Sequence, residues 1–138
     1  VSTATTQATS TWTLSYQQRP WTLNSERGRG GKDSGHWAVR SRLKAEWRHA
    51  FKILAREQCI PPLQWVQVTV LHHCRDRRLP DPVACFPAYK AALDGVVDAR
   101  VIRDDGPAYV HSVTFEAPVT TGVAELVLVL EGPAVAPS

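Results

Sequence analysis

The chain has 138 residues and a mass of 15.3 kDa, and 43% of it is hydrophobic against 21% charged. That is one domain's worth of material, enough to bury a core without disulfides or structural metal, and no apolar run approaches the roughly 20 residues of a membrane-spanning helix. A formal charge of +3 and a pI near 9.0 lean only mildly toward a polyanionic partner.

Residues 1–10, rich in Ser, Thr, Ala and Gln, read as a flexible N-terminus. They lack the apolar centre of a signal peptide, so a cytoplasmic location is expected. Thr11 to Tyr16 alternates apolar and polar side chains, a strand with Trp12, Leu14 and Tyr16 on one face. Arg27 to Gly35 holds four glycines and three basic residues, Arg27, Arg29 and Lys32, and reads as a mobile positive loop. From about Trp37 to Glu57 the period becomes helical, with Leu43, Trp47, Ala50, Phe51 and Leu54 on the inner face. Arg40, Lys44, Arg48, Lys52 and Arg56 form a basic row on the same helix, open to either solvation or phosphate contact.

Pro61-Pro62 ends that helix, and Trp65 to Cys74 is the clearest strand, with Val66, Val68 and Val70 alternating with polar residues. A second helix is expected over about Ala88 to Asp98, a third strand over Ala108 to Glu116 and a fourth over Ala124 to Leu130, with Thr121-Gly122 as turn material. Residues 132–138 read as a flexible C-terminus. The order predicts an α+β two-layer domain over residues 11–131: a mixed sheet of about four strands with two main helices on one face. Cys59, Cys74 and Cys85 are odd in number and irregular in spacing, which fits reduced thiols and shows no zinc pattern.

The stretch Arg75 to Asp105 carries the chemistry: RDRRLPDPVACFPAYKAALDGVVDARVIRDD. A basic run, Asp76-Arg77-Arg78, leads to Asp81; Lys90 sits on the following helix, Asp94 comes four residues later, and Asp104-Asp105 closes the unit after an apolar segment. This resembles the RusA-like Holliday junction resolvases, the crossover junction endodeoxyribonucleases of DNA recombination and repair. In that family a basic run enters D-x-D-N, a lysine follows on the next helix and an acidic pair ends the unit. Cys85-Phe86-Pro87 stands as the short insertion of phage-type members. A strand with aromatic residues followed by Pro20, Asn24, a basic loop and His36-Trp37 extends the resemblance to about Thr11 to Leu130.

The resemblance implies a homodimer that binds four-way DNA junctions and cuts them with Mg²⁺ or Mn²⁺. Asp81 and Asp105 match its metal-binding acids, with Asp104 beside them, and Lys90 matches its functional lysine, placed to meet a phosphate. Arg75, Arg77, Arg78, Lys90, Arg100 and Arg103, with Arg27, Arg29 and Lys32, would form the positive surround. The motif is degenerate: Val83 and Ala84 stand where the second Asp and the Asn belong. Valine has no lone pair for a metal, so catalysis is expected to be weakened or lost. Asp76, Asp104, Glu116 or one of His72 and His73 could act as substitute ligands in a fully active enzyme, although adjacent strand residues face opposite ways. The alternative class is a non-catalytic protein-interaction module on the same fold.

Overall fold

The computed structural model describes residues 8–23 and 34–136, with only the backbone of 34–36. The order is β1 (Ser10–Tyr16), α1 (Ser34–Glu57), β2 (Val66–Cys74), α2 (Phe86–Asp98), β3 (Val110–Phe115), β4 (Val119–Thr120) and β5 (Glu125–Gly132). The sheet runs β1-β5-β2-β3, with β4 paired to the end of β2. Strand β5 is antiparallel to β1 and β2, whereas β3 and β4 run parallel to β2, so the sheet is mixed. The domain is a small α+β unit of five strands and two helices.

Period-two alternation decides which way the sheet faces. Leu14 and Val70 both register with Leu128, and this three-strand row is buried. Val66, Val68, Leu126 and Leu130 extend it, while Thr11, Thr13, Ser15 and Gln67 turn to the other, solvated face. Helix α1 brings Trp47 and Phe51 onto β1, with Trp47 edge-on to Tyr16 at 4.9 Å and to Trp21 at 5.7 Å. Helix α2 adds Ala88, Tyr89, Ala92, Leu93 and Val96 to the same core, and Tyr89 meets Phe115 of β3 edge-on at 5.2 Å. The two helices touch at Gly95, where a Cβ would run into the backbone of Arg48 and Lys52. The bidentate Arg48–Asp98 pair, at 2.5 and 2.8 Å, ties them one turn further on.

Two expectations are corrected. The sheet has five strands rather than about four, because Val119–Thr120 is too short to carry an alternation and pairs only with His73 and Cys74. Residues 132–135 are held rather than loose. Gly132 and Pro133 are buried, Gln64 N–H donates to Pro133 O at 2.9 Å, and Val135 N–H donates to Pro62 O at 2.8 Å. The Gly132 position leaves no room for a side chain beside Trp65 O, which is why β5 can close against the start of β2. Helix α2 begins at Phe86, two residues before the periodicity starts, because Pro87 fits the first turn, where no N–H bond is required.

Candidate functional site

The basic run leaves the sheet at the end of β2. Thr120 Oγ1 donates to Asp76 O at 2.9 Å and Thr121 N–H to Cys74 O at 2.9 Å, so β4 fixes the root of the segment while Arg75, Arg77 and Arg78 are exposed. The chain then turns through Asp81, whose carbonyl accepts the Ala84 N–H at 3.0 Å. Asp81 itself is exposed. Val83 and Ala84, the two positions that depart from the motif the chain resembles, differ from one another. Val83 is 52% exposed, whereas Ala84 is buried and its carbonyl accepts the Leu23 N–H at 2.9 Å.

On α2 the buried stripe faces the core and leaves Lys90 and Asp94 together on the outer side, one turn apart. Lys90 Nζ lies 3.4 Å from Asp94 Oδ1 and forms a direct ion pair with Asp105 Oδ2. The segment after α2 thus doubles back along the helix and returns Asp105 to a residue fifteen positions earlier. Asp104 Oδ1 accepts the Asp105 N–H at 2.8 Å and orients that carboxylate. Partial burial pulls the Lys90 ammonium down, but the hydrogen bond to Asp105 and the charges of Asp94 and Asp105 outweigh it, and the net shift is upward. The same hydrogen bond and charge hold Asp105 below the usual carboxylate range. Both groups are therefore ionised near neutrality.

Lys90, Asp94, Asp104 and Asp105 come together. Among the described residues the Asp81 side chain forms no hydrogen bond or ion pair with them, and no three His, Cys, Asp or Glu side chains are grouped so as to hold a metal ion. A Mg²⁺ site needs converging oxygens in octahedral array, and the residues present do not fit one. Of the substitutes, Asp76 and Glu116 are exposed and Asp104 accepts the Asp105 N–H. His72 is buried with Nδ1 unpartnered, and His73, on the opposite face, is 2.7 Å from Glu125 Oε1 across the strand pair. Cys74 and Cys85 are buried thiols; burial raises the first and pushes the second up to about 11, so neither offers a thiolate.

Arg103 is exposed, as are Arg75, Arg77 and Arg78, while Arg27, Arg29 and Lys32 lie outside the described residues. The α1 row is partly committed within the fold: Arg48 binds Asp98, which also feels the charges of Lys52 and Arg56. The sequence reading missed a groove of about 370 Å³ beside the ion pair, lined by Phe86, Tyr89, Leu93, Val113 and Phe115 with Lys90 and Asp105. Its one local signal was the aromatic Phe86 at the very start of the helix, which remains 44% exposed. No helix is long and apolar enough to cross a membrane among the described residues. No family model matches the chain, and no curated protein matches it significantly, so the functional reading rests on this geometry and on the motif's resemblance.

Proposed function

We propose that the chain is a RusA-like, structure-specific DNA-binding protein of the Holliday junction resolvase type, acting as a homodimer on branched DNA, with phosphodiester hydrolysis weakened or lost. The observation that carries this reading is the Lys90–Asp105 contact. The lysine and the acid that the motif pairs at long range meet on the outer side of α2, with Asp94 and Asp104 as their neighbours. The exposed Arg75, Arg77 and Arg78 supply charge for phosphate contacts that recognise backbone shape rather than base sequence. An ion pair this exposed is individually weak, so Lys90 can exchange Asp105 for a phosphate oxygen when DNA arrives. The missing convergence of carboxylates, with Val83 pointing to solvent, supports loss of the hydrolytic step.

The test sets binding and cutting side by side on a labelled four-way junction and a linear duplex of the same length, at low salt, with and without Mn²⁺. Preferential junction binding without cleavage is the expected result, and Lys90→Met weakens that binding. No preference for the junction at low salt ends the DNA reading. Efficient Mn²⁺-dependent cutting by the unmodified chain overturns the loss of hydrolysis.

A further inference from the structure

A second cleft, of about 490 Å³, opens at the far end of α2 and shares no lining residue with the groove beside Lys90. Its walls come from three distant segments: the loop between α1 and β2, the turn after α2, and the chain beyond β5. Backbone bonds hold these together, Leu63 N–H to Val101 O at 2.7 Å and Val135 N–H to Pro62 O at 2.8 Å, so the cleft is preformed. Val97 and Val135 give it an accessible aliphatic lining, with Tyr109 at one side and Leu63 and Ile102 nearly buried. Two arginines, Arg100 and Arg103, line it as well, and no acidic side chain does. Both are exposed, and neither has a carboxylate partner among the described residues.

The backbone at Arg100 adds an independent observation. Helix α2 ends with Arg100 N–H on Val97 O at 2.9 Å and Val101 N–H on Val96 O at 3.3 Å, the paired closing bonds that place the residue between them in the left-handed region. Arg100 has φ of +64°, where glycine is the unstrained residue. A strained arginine thus stands at the edge of an apolar cleft with no internal partner.

We propose that this cleft docks an acidic segment of a partner protein, inserting an apolar side chain over Val97 and Val135 while flanking carboxylates meet Arg100 and Arg103. A nucleic-acid backbone would satisfy the guanidinium groups but leave the aliphatic lining uncovered. An uncharged peptide would do the reverse. Only a ligand with both features uses the whole surface, and rigid walls spare it the cost of ordering the site. The cleft shares no lining residue with the Lys90 groove, but Arg100 and Arg103 also belong to the positive surround that the resemblance implies, and an oligonucleotide competitor tells the two uses apart.

The full chain would be titrated against a short fluorescein-labelled peptide alternating aspartate with leucine and phenylalanine, read by anisotropy. Controls carry lysine for aspartate or serine for the apolar residues, and a single-stranded oligonucleotide serves as competitor. Saturable binding of the first peptide alone is expected. Arg103→Ser and Arg100→Gly should each weaken it by about tenfold, the value of one charge-assisted hydrogen bond. Arg100→Gly should also hold or raise Tm, because it relieves the backbone. Equal binding of either control peptide, displacement by the oligonucleotide, or unchanged affinity in Arg103→Ser overturns the proposal. A fall in Tm for Arg100→Gly assigns that arginine to the helix end instead and overturns its part in the site.

Discussion

Gly95→Ala tests whether the two helices meet as closely as the structure requires. A Cβ at position 95 would lie 2.9 Å from Lys52 N and within van der Waals overlap of Arg48 O, both backbone atoms that cannot rotate away. Carbon contacts relax near roughly 3.5 Å, so α1 and α2 must separate by about 1 Å, a gap that forfeits a quarter to a half of each dispersion well at the interface. Overpacking of this kind costs about 1–3 kcal/mol or more. Alanine returns about 1 kcal/mol of helix propensity. The separation also stretches the Arg48–Asp98 pair, whose Nε–Oδ2 distance of 2.5 Å leaves no slack. The net expectation is a loss of about 2 kcal/mol, or roughly 8 °C in Tm for a domain of this size, measured by circular dichroism with urea unfolding alongside. Because Lys90 rides on α2, junction affinity should fall in the same variant. An unchanged or higher Tm would mean that propensity wins and that the backbones do not touch at Gly95, which refutes the packing argument.

A double-mutant cycle on Arg48→Ala and Asp98→Ala should give a coupling of about 0.5–1 kcal/mol, kept small by the exposure of both side chains and reduced further in 1 M salt; a coupling that salt leaves unchanged contradicts the surface assignment. Burial first, then the charges of Arg19 and His73, lower the His72 pKa from 6.5, so the folded state keeps it neutral. Stability from this site is complete above pH 6.5 and falls as the pH drops through and below that value toward the folded-state pKa, because the unfolded chain binds the proton first. Urea titrations between pH 7 and about 5 should show that slope in the parent and lose it in His72→Phe. Val83→Asp should leave the unfolding free energy within about 0.5 kcal/mol of the parent, because the side chain is exposed, and, on the proposed function, should raise Mn²⁺-dependent junction cleavage; Ala84→Asn added to it should lower Tm, because that position is buried. Asp105→Asn should tighten junction binding without divalent ions by freeing Lys90 and removing a negative charge; weaker binding would show that Asp105 serves to orient the lysine.

Much of the fold is legible because burial imposes a period. In β2 the sequence VQVTVLHHC alternates buried with less buried residues along its length, and α1 shows Trp47 and Phe51 at a four-residue spacing. Alternation also shows that His72 and His73 face opposite ways, but not which is buried or that Glu125 meets the other. That depends on the register between β2 and β5, which no local pattern encodes. The four-residue spacing of Arg48 within its basic row is equally blind to Asp98, fifty positions away. The Lys90–Asp105 contact needed the path of the whole connection after α2. The cleft beside Arg100 is built from three segments distant in sequence and has no signature in any one of them.

The charge balance on the outer side of α2 bears directly on the proposed function. Asp94 and Asp105 both contact Lys90 and Asp104 bonds to the Asp105 N–H, so two carboxylates face one lysine, one of them held ionised by the lysine itself. Without a bound cation such a cluster repels a DNA backbone, so under the proposed function the arginines after β2 would have to bring the DNA in. In an active hydrolase that repulsion is the correct design, because the excess negative charge awaits a metal. Under the proposed function Val83 stands where a carboxylate would be, while Asp104 and Asp105 keep theirs and Lys90 pairs with Asp105. The two changed positions then have different physical consequences. Residue 83 is 52% exposed, so an acid has room there, whereas Ala84 is buried and its carbonyl accepts the Leu23 N–H. Restoring the carboxylate is sterically free and restoring the amide is not, so the single and double variants separate loss of charge from repacking of the turn.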